Sequence, residues 1–216
     1  MLATYTLFGI LGALGCSVLG DVLGRRKTIF LASLVQSVGA ILQSSAFSFP
    51  QFIIGRVFLG LGTGGLIATV SVWQSEVSKA ENRGEHVSAF GVFCASGIGL
   101  AMWVGFGMSY AQPSSVSWRF PLAFSIFLSI LISLSIFNLP ESPRWLAKMG
   151  RWDEARENLA ILFDEDPNGE AINKDVTDIR LSLERASKGN LRDIFKMGPQ
   201  RELHRVALAA ISQVSH

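Results

Sequence analysis

DVLGRRKTIF, residues 21–30, sets one aspartate and three consecutive cations between two long apolar runs. Such a cluster suits a phosphate-binding loop, a nucleic-acid contact or a tight turn at a membrane surface. Its surroundings decide among them. From Met1 to Gly20 no residue is charged, and the same holds from Thr28 to Gly55. Gly-Arg-Arg-Lys-Thr lacks the glycine spacing and the Gly-Lys pair of a phosphate loop. A net charge of +2 over 216 residues gives no general attraction to nucleic acid. The turn between two membrane helices is the reading left.

Working outward, Pro50 and the preceding SAFSF divide the second apolar run from a third, about 51–74. A fourth covers about 87–108 and a fifth about 118–139. Each is close to the ~20 residues that cross a hydrocarbon core of about 30 Å as helix. Five transmembrane helices are expected. The first run has no basic flank and continues into a charged turn, so it reads as a span rather than a cleavable signal. Loops 21–27 and 75–86 hold the charge, whereas 45–51 and 109–117 contain no Lys, Arg, Asp or Glu. The positive-inside rule makes the charged loops, and everything after Pro140, cytoplasmic, and places Met1 outside.

Residues 1–139 carry seven of the 19 Lys/Arg and four of the 17 Asp/Glu, so an apolar part precedes a water-soluble one. In the latter, Ile172, Val176, Ile179 and Leu183 share one face of an expected helix. DEDPNG, residues 164–169, is a turn, and residues 191–195 could add one helical turn. Cys16 and Cys94 lie in apolar runs without metal-like spacing, and His86, His204 and His216 are scattered. No metal site, cofactor or enzyme chemistry is expected. GLGTGG, residues 60–65, matches a dinucleotide fingerprint in form only, because it sits within an apolar helical run and not after a strand. Small residues recur every fourth position (Gly12, Cys16, Gly20; Gly60, Gly64; Gly91, Ala95, Gly99; Gly97, Ala101, Gly105), the pattern that lets helices approach closely in lipid.

Asp21, Arg25, Arg26, Glu76, Arg83, Glu141 and Arg144 are expected at one membrane face, as solvated loop charges or as paired groups that part when helices rock. Arg56 and Arg119, nearer the outer ends of their spans, suit snorkelling to the interface; a packed role is equally open for Arg56.

Four stretches in order, GDVLGRRK, GRVFLGLGTGG, VWQSEVSKAENRG and WRFPLAF followed by LPESPRWLAKMGRWDEA, resemble the sugar-porter family of the major facilitator superfamily, most closely its fungal hexose and polyol members. The resemblance covers essentially the whole chain. It implies an all-α membrane protein: a partial major facilitator bundle of about five transmembrane helices, the second to sixth spans, in 1–139. A cytoplasmic helical linker, 140–203, and the start of a seventh span, 204–216, would follow. The chain would then be a fragment of a twelve-span protein. By resemblance, Asp21, Arg25, Arg26, Arg56, Glu76, Arg83, Glu141 and Arg144 form a cytoplasmic gate of paired charges, and Gly24, Gly60 and Gly84 are motif glycines. The chain departs from the family at Ser71, usually Pro, at Phe90-Gly91, often Gln, and at Ser125, frequently Gln. The implied activity is alternating-access transport of a sugar or polyol in a multi-pass protein of the plasma membrane, with H+ as a candidate coupling ion and the lipid bilayer as surroundings. A sugar sensor that kept the fold, and a non-functional truncated product, stay open as alternatives.

Overall fold

The computed structural model describes residues 2–79, 83–110, 114–167 and 169–188. Eight α-helices and one 3-10 turn make up the described structure, with no strand among the described residues. Five are long: α1 (Leu2–Leu23), α2 (Arg25–Ser44), α3 (Phe49–Val77), α4 (Arg83–Ser109) and α5 (Val116–Ser135). The 3-10 turn Ile136–Asn138 ends α5, and α6 (Pro143–Lys148) and α7 (Trp152–Phe163) follow. These belong to one compact unit that reaches Pro167; α8 (Glu170–Lys188) belongs to a second, starting at Asn168. The change of solvent at residues 139–140 therefore precedes the division between compact units. The sequence-based turn at 191–195 and further span at 204–216 lie outside the described residues.

The charged turns are shorter than their charge runs. α1 continues through Asp21 to Leu23, and α2 starts at Arg25, leaving Gly24 alone between them. Gly24 has φ +94°, a backbone conformation open to glycine and strained for other residues. Likewise α3 carries Glu76 in its last turn, and α4 begins at Arg83. Charge marks where helices meet water; the helical hydrogen bonds run on past that boundary.

Four helical segments, Ala3–Leu23, Phe49–Val77, Ser88–Ser109 and Val116–Asn138, are long and apolar enough to span a membrane. The second of the five expected spans is a 20-residue helix, about 30 Å long at 1.5 Å per residue, but less apolar. Its packing explains this. α2 lies against α3, α5 and α1, and buries Thr28, Ser33, Ser37, Gly39, Ala40 and Gln43. Leu31, Leu34, Val38 and Ile41 point outward, each more than 40 % exposed. Polar groups inside and aliphatic groups outside invert the pattern of a helix in water; lipid is the surrounding that makes it favourable. Ser33 and Ser133 join α2 to α5 by a 2.7 Å hydrogen bond between their hydroxyls.

Close approach is concentrated on α3. A Cβ at Gly64 would overlap the backbone of Gly9, and one at Gly12 would overlap Leu61, so α1 and α3 touch main chain to main chain. Gly39 and Leu59 bring α2 equally close. The motif residue Gly60 fits the same face, since its Cβ would lie 2.6 Å from the Tyr5 carbonyl oxygen. The α4 repeats behave differently. A Cβ at Gly91, Gly97, Gly99 or Gly105 meets nothing within 4 Å, and neither does one at Gly84. The expected close packing of α4 through these residues is not found within the described chain, where α4 makes only limited contact with α3 and α5.

Candidate functional site

At the Gly24 end of the bundle the ends of three helices converge on α6. Arg25, the first residue of α2, directs its guanidinium at Glu76 in the last turn of α3. Nε lies 3.0 Å from Oε2 and Nη2 2.9 Å from Oε1. This paired geometry is the strong form of an Arg–carboxylate contact, and the two side chains are only 12 % and 9 % exposed. Nη1 of Arg25 reaches Asp21 Oδ1 at 3.0 Å, while Asp21 Oδ2 takes Lys148 of α6 at 3.0 Å. Ser142 donates its hydroxyl to Glu76 Oε2 at 2.7 Å and accepts the Trp145 amide at 3.2 Å. It is thus the N-cap of α6 and a partner of Glu76 at once. Trp145 Nε1 donates to the Asp21 carbonyl at 3.0 Å.

Glu141 does something other than form an ion pair. Its Oε1 accepts the amides of Arg25 at 3.1 Å, Arg26 at 3.3 Å and Ser142 at 3.0 Å. The first amides of a helix have no partner inside it and carry partial positive charge; Gly24 precedes them without a capping side chain. A carboxylate more than a hundred residues away in sequence supplies the cap. Asn158 of α7 holds the Glu141 carbonyl at 3.2 Å. A Cβ on Gly24 would lie 2.8 Å from Glu141 Oε2 and 3.3 Å from the Trp145 ring. Gly24→Ala is therefore expected to cost about 1–3 kcal/mol for the backbone alone, and to displace Glu141 besides. Faster amide exchange at Arg25 and Arg26 would report it, and unchanged protection would contradict the cap.

The remaining expected gate residues divide. Arg26 stacks 5.7 Å from the Phe137 ring and donates from Nη2 to the Phe137 carbonyl, making no ion pair among the described residues. Arg144 is exposed and unpaired among them. The Arg83 side chain lies outside the described residues. Arg56 is not brought to this end. It sits twenty residues before Glu76 on the continuous helix α3, about 30 Å away at 1.5 Å per residue. There its guanidinium lies 5.2 Å from the Phe52 ring. Phe52 meets Trp118 edge-on, and Arg119, stacked on Trp118 and Phe47, donates to the Ala46 carbonyl at 3.3 Å. These arginines belong to an aromatic girdle at the opposite end.

Ser142, Trp145, Lys148 and Asn158 were not singled out from sequence. Ser142 alone had a signal, a serine before the proline that opens α6. Lys79, just beyond α3, adds a tie to the end of α7, 2.9 Å from Glu165 and 4.7 Å from the Phe163 ring. No cluster of three or more His, Cys, Asp or Glu suited to a metal ion occurs among the described residues. The arrangement holds helix ends together through charge and hydrogen bonds.

The α-helical bundle, with inverted polarity, four membrane-length apolar helices and an ion-paired clasp at one end, is that of a multi-pass membrane protein. Residues 1–215 match the family described as "Sugar (and other) transporter", and the chain belongs to that family. It is 39 % identical over 215 residues to the sugar transporter STL1 of Saccharomyces cerevisiae, covering 97 % of this chain and 38 % of that protein. It is 34 % identical over 212 residues to a D-xylose transporter of Levilactobacillus brevis, covering 95 % of this chain and 45 % of that one. The xylose transporter XylE of E. coli, solved with 6-bromo-6-deoxy-D-glucose, superposes with a TM-score of 0.79 at 21 % identity, over 89 % of this chain and 44 % of its own. The chain thus spans less than half the length of these relatives.

Proposed function

We propose that the chain is part of a transporter that moves a sugar or related polyol by alternating access, and that the Arg25–Glu76 clasp is its cytoplasmic latch. The observation that carries this is the clasp itself. The buried Arg25–Glu76 pair joins α2 to α3, the Ser142 hydroxyl ties Glu76 to the N-cap of α6, and the half-exposed Asp21 adds Arg25 and Lys148. Helices cannot spread at this end without parting these contacts. The lysine and arginine content of its loops supports a cytoplasmic position for it. In such carriers the substrate site lies between two rocking halves near the bilayer midplane, and relatives more than twice as long as this chain supply both. The relatives' names are those of carriers, which supports transport over catalysis; the plasma membrane is the location proposed. H+ is the coupling ion proposed, XylE being described as a proton:xylose symporter. Asp21, Glu76, Glu81 and Glu85 all lie near span ends, so a mid-membrane proton carrier would come from outside residues 1–139.

A chimera in which this chain replaces the matching part of the L. brevis transporter should support saturable sugar uptake in cells lacking their own carriers. The chain alone, in proteoliposomes, should show no stereospecific flux. Uptake by the chain alone, or a correctly inserted chimera without uptake, would overturn the proposal.

A further inference from the structure

Between α1 and α3, next to the clasp, lies a cavity of about 150 Å³ lined by Cys16, Ser17, Gly20, Arg25, Ala68, Thr69 and Val72. Thr69 is only 5 % exposed, and its hydroxyl has no hydrogen-bond partner among the described residues. Helical threonines commonly bond the carbonyl four residues back, as Thr28 does to Gly24 at 2.8 Å. Thr69 does not, although a buried hydroxyl without a partner is costly. At the cavity's clasp end, a Cβ on Gly20 would stand 3.2 Å from Arg25 Nη1. The Arg25 guanidinium therefore borders the cavity on one side and its carboxylates on the other.

We infer that this cavity is a hydration site that takes over the Arg25 charge when the clasp opens, an inference that rests on the latch reading above. The chemistry selects an uncharged hydrogen-bonding occupant. Arg25 already meets two carboxylates, Glu76 and Asp21, which leaves no excess charge for an anion. The lining holds no carboxylate to attract a cation. The volume suits about five waters at roughly 30 Å³ each. Thr69 and Ser17 supply hydroxyls, and Ser17 Oγ donates to the Ala13 carbonyl at 2.8 Å while keeping acceptor capacity. Opening a buried ion pair is costly because each charge is left without a partner; water held beside Arg25 lowers that cost on the side away from Glu76.

Water-edited solid-state NMR of the full chain in liposomes tests the site, with buried Ile29 as the dry reference. Magnetisation from water should build up at Thr69 and Cys16 at least threefold faster than at Ile29. Ala68→Leu, which fills the cavity, should bring Thr69 to the reference rate, and the isosteric Thr69→Val should slow the build-up at Cys16 if the larger side chain prevents folding. Equal build-up at Thr69 and Ile29 in the unaltered chain would overturn the proposal. Amide exchange at Arg25 and Arg26 tests the role: either variant should slow it about tenfold, and unchanged exchange would overturn the coupling. Glu76→Gln separates the two ideas. If it fails to accelerate exchange at these amides, the latch reading fails, whatever the cavity holds.

Discussion

Replacing Glu76 with alanine should destabilise the bundle by about 3 kcal/mol, the lower end of the cost of leaving one partner of a buried ion pair alone. The lower end is the expected one because Arg25 keeps Asp21 at 3.0 Å. The change also removes the acceptor of the Ser142 hydroxyl, so the segment leading into α6 loosens with it. Denaturant unfolding in detergent measures the loss. Glu154→Ala provides the contrast, since Glu154 pairs with Arg151 where both side chains are about half exposed. Such a surface pair contributes less than about 1 kcal/mol. Equal losses in the two variants would mean that Glu76 is solvated and latches nothing. In the chimera proposed above, Glu76→Ala should also shift the population towards the inward-open form, seen as increased cysteine accessibility at the clasp end.

The same glycine-to-alanine change should have opposite signs on two helices. At Gly64 the added methyl would enter the Gly9 backbone. No side chain there can swing aside, so α1 and α3 must separate, a cost of at least about 3 kcal/mol at the upper end of ordinary overpacking. At Gly99 the methyl meets nothing within 4 Å, and alanine should favour the helix by about 1 kcal/mol. Thermal unfolding of the two variants side by side decides the matter. A Gly64→Ala protein as stable as Gly99→Ala would show that the α1–α3 main-chain contact is not what holds the bundle.

Four of the five expected spans and the charged end were legible because both follow from solvent, which acts on composition residue by residue. The second span is as long but less apolar, because it buries polar groups. Helix ends were less so. Residues 21–27 read as a loop since charge must leave the hydrocarbon, yet a helix can continue into water, and only Gly24 breaks it. The function of Glu141 could not be read from spacing, because its partners are main-chain amides that any residue would present. Arg56 was placed at the gate by resemblance against its own position, as twenty helical residues separate it from Glu76. The glycines of α4 show which face is narrow, but whether a neighbour fills that face is a matter of tertiary arrangement.

The single-residue joint at Gly24 has a consequence for biogenesis. With no linker between them, α1 and α2 are expected to enter a bilayer as one hairpin, with the three cations at its bend resisting passage through the hydrocarbon. α2 on its own is a poor candidate for partitioning, because Ser33, Ser37 and Gln43, which it later buries, would first face lipid. In the folded chain α3 and α1 give those groups a protein surface to turn towards. Lengthening the joint would uncouple the pair and leave α2 to enter by its own hydrophobicity.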